Sequence, residues 1–202
     1  MPPTDPVRTA APAATHAARR MTAAELLHHH DPHDRPTELV HGRLVVHEPP
    51  GVEHARVTVV LAAELFNHVR ARAVATGTGA GVVLAGDPGC WIERDPDTVR
   101  APDVPYVAPD RAPAGPVHGF LPFAPTLAVE VRAPGDRDGA VEAKVAQWLA
   151  AGTALVWVVD PRRRTARVHR ADGTHTDRAV GDALDGEAVL PGFVLPLATL
   201  FG

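Results

Sequence analysis

Apolar residues recur at two spacings along this chain, and each change of spacing marks a boundary between elements. In Met21-Thr22-Ala23-Ala24-Glu25-Leu26-Leu27, Thr22 stands three residues before Glu25. That is the spacing of a capping box, and it predicts a short helix that ends before Asp31-Pro32. Thr37 to Val40 and Arg43 to Val46 are apolar-rich runs separated by His41-Gly42, which predicts a β-hairpin. From Glu53 to about Ala75, Val57, Val60, Leu61, Leu65 and Val69 recur at near-helical spacing and define the core-facing stripe of a long helix. Gly77, Gly79 and Gly81 end it. This Gly-x-Gly-x-Gly follows a helix and precedes the apolar run Val82-Val83-Leu84, whereas a dinucleotide-binding loop follows a strand and opens a helix.

In the second half, Cys90 to Glu93 and Val99 to Val107 read as strands joined at Asp95-Pro96-Asp97-Thr98, and a proline-rich loop follows from about Pro109 to Pro125. Thr126 to Val131 is short and mostly apolar, as a buried central strand should be, yet it carries Glu130. Arg137 to Ala151 reads as a helix with Val141, Val145, Trp148 and Leu149 on one face and Gly152 as its stop. Leu155 to Val159 is another apolar strand, turning at Asp160-Pro161 into Thr165 to Arg170. Beyond it the pattern is irregular until Leu200-Phe201. Residues 1 to 20 show no periodicity and read as a disordered extension, leaving 21 to 202 as a single domain without internal repeats.

Composition removes whole classes of chemistry. The 202 residues contain no serine, so every serine-nucleophile hydrolase is excluded. Cys90 is the only cysteine, which rules out an intrachain disulfide or a multi-cysteine metal site, and most simply makes it a small core residue. A P-loop needs glycine before its lysine, and the only lysine, Lys144, follows Ala143. No apolar run approaches the roughly 18 residues of a membrane span. With no disulfide framework and no signal-peptide pattern, the expected compartment is the cytoplasm. The net charge of −4 argues against a broad polycationic surface for nucleic acid, so any such contact must be local or helped by metal ions. All but one of the 20 basic residues are arginine. A lysine retained against that bias suggests a place where a compact ammonium is needed beside a phosphate or a water.

Three charged groups lie in or beside segments that otherwise want burial. Asp103 follows Pro102, Glu130 sits inside an apolar strand 27 residues later, and Lys144 lies 14 residues further along the next helix. A buried carboxylate is costly unless paired, hydrogen-bonded or bound to a metal. Two carboxylates converging beside one lysine meet that demand with a hard divalent cation. The competing reading has Asp103 capping a turn and Glu130 with Lys144 forming a structural ion pair.

At these residues the sequence resembles the PD-(D/E)XK nuclease superfamily, and within it a large bacterial family of restriction-endonuclease-like proteins of the DUF820 type. The resemblance runs from about Thr22 to Phe201. It rests on Glu38-Leu39-Val40-His41-Gly42-Arg43-Leu44, Arg100-Ala101-Pro102-Asp103-Val104, Ala128-Val129-Glu130-Val131, Lys144-x-x-x-Trp148-Leu149-Ala150-Ala151-Gly152, and Val156-Trp157-Val158-Val159-Asp160. It implies an α/β (α+β) restriction-endonuclease-like core, a mixed β-sheet flanked by helices with an N-terminal β-hairpin. It further implies Mg²⁺- or Mn²⁺-dependent phosphodiester hydrolysis, DNA as substrate and a homodimer. Asp103 and Glu130 match the family's acidic metal-holding positions, and Lys144 matches a lysine supplied from the following helix. Arg132 stands where the superfamily usually has lysine, a departure that leaves it a phosphate contact at most. Trp148 replaces the family's common tyrosine and loses its hydroxyl.

Further candidates are Glu38, as an additional acidic metal ligand, and His54, at a position the family often fills with histidine. His28, His29, His30 and His33 form a tract with metal-ligand composition, although consecutive histidines on a short helix point in different directions. Arg162, Arg163, Arg164, Arg167 and Arg170 form a basic turn and strand that either steers phosphate or is simply solvated. The expected function is a metal-dependent DNA endonuclease with Asp103 and Glu130 on Mg²⁺ and Lys144 assisting the attacking water or the phosphate. The alternatives are a catalytically inactive nuclease-fold dimer acting as a binding or regulatory module, and a hydrolase of some other phosphodiester.

Overall fold

A computed structural model describes residues 19–202. The extension expected over 1 to 20 lies, apart from Arg19 and Arg20, outside the described residues. Helix α1 (Ala23–Leu27) carries the predicted capping box, with Glu25 N donating to Thr22 Oγ1 at 3.2 Å and Thr22 N to Glu25 Oε2 at 2.9 Å. Strands β1 (Thr37–Val40) and β2 (Arg43–Val46) form the expected hairpin. His41 and Gly42 both have positive φ, 49° and 76°, the backbone of the tight turn that matches strand twist. Helix α2 (Val52–Thr76) buries Val57, Leu61, Leu65 and Val69 and ends at Gly77 in the left-handed conformation.

The apolar run Val99 to Val107 is two strands rather than the single one expected. β4 (Cys90–Glu93) and β5 (Thr98–Arg100) join the hairpin in a four-stranded sheet of order β2-β1-β5-β4, numbered together with the short strand β3 (Val82–Val83). The chain then breaks at Ala101-Pro102-Asp103, where proline cannot donate to a ladder, and enters a second sheet as β6 (Val104–Val107). β7 (Leu127–Val131), helix α3 (Asp138–Ala150), β8 (Leu155–Asp160), β9 (Thr165–Arg170) and β10 (His175–Arg178) complete the order β10-β9-β8-β7-β6-β3. β7 and β8 are parallel, connected through α3, and the other pairings are antiparallel, so the sheet is mixed.

The segment expected to be irregular before Leu200 instead contains β10, the two-stranded pair β11 (Ala183–Asp185) and β12 (Val194–Pro196), and helix α4 (Leu197–Phe201). β10 is the sheet's edge, while β11, β12 and α4 together with α2 cover one of its faces. Leu127, Val129, Val131, Leu155, Trp157 and Val159 face Leu61, Leu65, Phe193 and Leu200 in the main core. The alternate residues Ala128, Val156 and Val158 meet Val145 and Trp148 of α3 on the other face. Period-two alternation therefore persists inside what reads as a continuous apolar run, and it sends Glu130 toward α3. Among the described residues no helix is long and apolar enough to cross a membrane.

Candidate active site

The break between the two sheets and the facing turns of α3 assemble the site. β6 and β7 pair with Val104 opposite Val129, which brings Asp103 beside the end of β7. There Asp103 Oδ2 accepts the Val131 N–H at 2.6 Å, and its other oxygen, Oδ1, lies 3.1 Å from Nε2 of His54 in the first turn of α2. Asp103 does not cap its own turn. Glu130, one strand over, accepts from two residues of α3: Lys144 Nζ reaches Oε2 at 2.8 Å and Trp148 Nε1 reaches Oε1 at 2.7 Å. The indole of Trp148 thus supplies a polar contact despite the missing tyrosine hydroxyl. The four-residue spacing of Lys144 and Trp148 puts both on one face of the helix.

Glu38, from the hairpin, comes to the same place. It is only 3% exposed. Its Oε1 accepts the Ala101 N–H at 2.7 Å and lies 3.1 Å from Lys144 Nζ. Its Oε2 takes Arg100 at 2.7 Å and His47 at 3.0 Å. A carboxylate offers about four lone-pair positions, of which Ala101, Arg100 and His47 take three on Glu38, with the Lys144 ammonium against Oε1 besides. The expectation that Glu38 holds metal therefore meets a physical obstacle, since it already binds two cationic side chains, a histidine and an amide. Asp103 and Glu130 have two protein partners each and keep lone pairs to spare. Lys144 also donates to the Ala101 carbonyl at 3.0 Å, so its ammonium hydrogen-bonds Glu130 and Ala101 while it forms an ion pair with Glu38. Arg100 is fixed in turn by two bonds to Gln147 Oε1, at 2.8 and 2.6 Å.

Protonation follows from these contacts. Burial alone pushes the Glu38 carboxyl up, but Lys144, His47, Arg100 and the Ala101 amide outweigh it and hold it well below the ordinary carboxylate range. Glu130 goes the other way. Burial raises it to about 7, Lys144 opposes that, and the negative charges of Asp103 and Glu38 add to it. Burial would lower Lys144, yet Glu130 and Glu38 keep it protonated, above the usual lysine range. The hydrogen bond to Asp103 raises His54. Asp87 is raised by burial and then by the charge of Asp103, which marks it as a further acid near the site. Burial pushes the Cys90 thiol up to about 12, keeping it a neutral core group.

Asp103, Glu130 and Lys144 converge as expected, and His54 and Glu38 join them. Arg132 does not reach this cluster and pairs with Asp138 at 2.7 Å. The histidine tract does not assemble: His30 is paired only with Asp34, at 3.5 Å and in solvent. Among the described residues no three His, Cys, Asp or Glu side chains gather as a metal-ligand group, in that tract or around Asp103. Of the basic run, Arg167 pairs with Asp177 and Glu142, and Arg170 with Glu187. Sequence reasoning missed Arg100, His47, Gln147 and Asp87. Arg100 was visible within the Arg100-Ala101-Pro102-Asp103 motif, but nothing local showed where His47 and Gln147 would point.

A mixed sheet with a parallel β7-α3-β8 unit, and acids at the ends of β6 and β7 facing a lysine on α3, is a restriction-endonuclease-like nuclease fold. A crystal structure of a "putative nuclease belonging to DUF820" from Anabaena variabilis matches it with a TM-score of 0.76, at 17% identity over 90% of this chain and 97% of that one. The chain belongs to the Uma2 family, described as "putative restriction endonuclease", whose model matches residues 23–198. Among curated proteins, none matches the chain.

Proposed function

We propose that the protein is a divalent-metal-dependent endonuclease hydrolysing phosphodiester bonds of DNA. The observation that carries this reading is the pair Asp103 and Glu130, each with lone pairs to spare, beside a lysine held protonated at 2.8 Å from Glu130. Family membership and the nuclease fold support it.

The donor set fits a hard cation. Both acids offer oxygen, and Glu130, raised chiefly by burial and further by the charges of Asp103 and Glu38, is a carboxyl whose charged form a cation would favour. Mg²⁺ characteristically uses one or two protein carboxylates and fills its other positions with water and phosphate, so two acids suffice without a third. Asp103 and Glu130 are the residues that would hold it, and when bound such an ion supplies charge neutralisation and a more acidic water. His54 and the Val131 amide orient Asp103, and Trp148 orients Glu130. Lys144, protonated throughout the physiological range, cannot act as a base. It donates to the phosphate oxygens or the attacking water as negative charge builds in the transition state. Hydrolysis adds the water oxygen to phosphorus, breaks one ester P–O bond, and gives a proton to the leaving oxygen. Glu38 is a positioning residue: with Arg100 and the Ala101 peptide it sets the location of Lys144.

Cleavage of supercoiled plasmid and of single-stranded DNA with Mg²⁺ or Mn²⁺ tests this, with an EDTA control and the variants Asp103→Ala and Lys144→Met. Cutting that needs metal and falls at least about 100-fold in both variants is the expected result. The reading also includes a homodimer, to be checked by mass in sedimentation. One observation favours the inactive module instead: Lys144 already donates to Glu130 and the Ala101 carbonyl and is ion-paired with Glu38, so a phosphate must compete with partners inside the protein. Absence of both cleavage and Mg²⁺ binding by calorimetry would establish that alternative.

A further inference from the structure

A polar cleft of about 410 Å³ opens where β7 and β8 end and α3 begins. Arg132, Arg137, Arg162 and Arg163 line it together with three aspartates. The aspartates are already committed. Asp136 accepts the Ala133 N–H at 2.8 Å, Asp138 pairs with Arg132 at 2.7 Å, and Asp160 pairs with Arg163 at 3.1 Å. Arg137 and Arg162 are exposed, and among the described residues neither forms an ion pair or a side-chain hydrogen bond. They come from different elements, Arg137 capping α3 and Arg162 in the β8–β9 turn. The cleft thus sets four arginines against three aspartates, a net charge of +1, with Arg137 and Arg162 unpaired, on a chain whose net charge is −4.

Its position relative to the acids gives this charge a purpose. Arg132 continues the β7 ladder, its N–H donating to the Val159 carbonyl at 2.8 Å. It stands two residues beyond Glu130, about 7 Å along an extended strand, and on the same face of the sheet. We propose that this cleft holds the phosphodiester strand of a DNA duplex to one side of the scissile phosphate. Arg137 and Arg162 contact phosphate oxygens, and Arg132 and Arg163 form the floor. The inference rests on the nuclease reading above. It explains how an acidic protein engages a polyanion: attraction is concentrated beside the reacting bond rather than spread over the surface.

The test is binding of a short fluorescent DNA duplex, with Ca²⁺ in place of Mg²⁺, as a function of salt. Wild type is compared with Arg137→Ala/Arg162→Ala and with the equally charged control Arg43→Ala/Arg70→Ala, whose exposed arginines lie on β2 and α2. The cleft variant should bind at least tenfold more weakly, with the slope of log affinity against log salt shallower by about two, near one unit per lost phosphate contact. The control should match wild type. If wild type binds and cuts DNA while the cleft variant binds it undiminished, the cleft assignment is overturned and the nuclease reading stands. If wild type neither binds nor cuts, the nuclease reading falls and takes the cleft with it.

Discussion

At the scale of single residues, the site is governed by how many partners each carboxylate already has. Glu130 and Glu38 part company, because burial raises Glu130 where salt bridges lower Glu38. A carboxyl raised from 4.5 to about 7 on folding binds a proton in the native state that the unfolded state has released. Its contribution to stability therefore falls as pH rises from 4.5 to 7 and is unfavourable above that, by about 3 kcal/mol. Glu130→Gln should gain roughly that much relative to wild type between pH 4.5 and pH 8 in urea denaturation. Parallel profiles would refute the burial of charge at Glu130. The same titration opposes metal binding, since a ligating carboxylate must be deprotonated: Mg²⁺ affinity measured by calorimetry should fall about tenfold per unit below pH 7. Trp148→Phe removes one donor to a buried acceptor and should cost about 1–3 kcal/mol in thermal or urea unfolding. Asp103, Glu130 and Lys144 were legible in the sequence because each interrupts an apolar or motif context. His47 and Gln147 were not, because their roles exist only once two distant segments pack together.

At the scale of elements, the hairpin matters for what it carries. Gly42 adopts φ 76°, and a Cβ there would sit 2.6 Å from Arg20 Cβ. Gly42→Val should destabilise the protein by about 1–2 kcal/mol. Because β1 delivers Glu38 to Lys144, it should also lower cleavage more than a surface change of equal stability cost, as read by activity below the melting transition. The hairpin itself was plain from its turn. The division of Val99 to Val107 was harder to see, since both halves are apolar and buried and only Pro102 marks the crossing between sheets. That crossing places the Ala101 peptide between Glu38 and Lys144 and aims Asp103 at β7.

At the scale of the whole molecule, the least legible region contributes much of the core. Leu184, Leu190, Phe193, Leu195, Leu197, Leu200 and Phe201 are all buried against the sheet. β11 and β12 are only three residues long with just the middle residue buried, and β10 is a largely polar edge, so no local period announced them. Burial of such side chains contributes about 1.5–3 kcal/mol each, which together is comparable to the whole stability of a typical domain. Truncation after Ala179 should therefore abolish cooperative unfolding and expose apolar surface, measured by calorimetry and dye binding. A last consequence concerns labelling chemistry. Lys144 is the only ε-amine in the chain, and it is 18% exposed and held by two hydrogen bonds and two carboxylates. An amine-specific acylating reagent thus has a single side-chain target. Its rate there reports how often the centre of the site opens, turning an arginine-biased composition into a built-in one-residue probe.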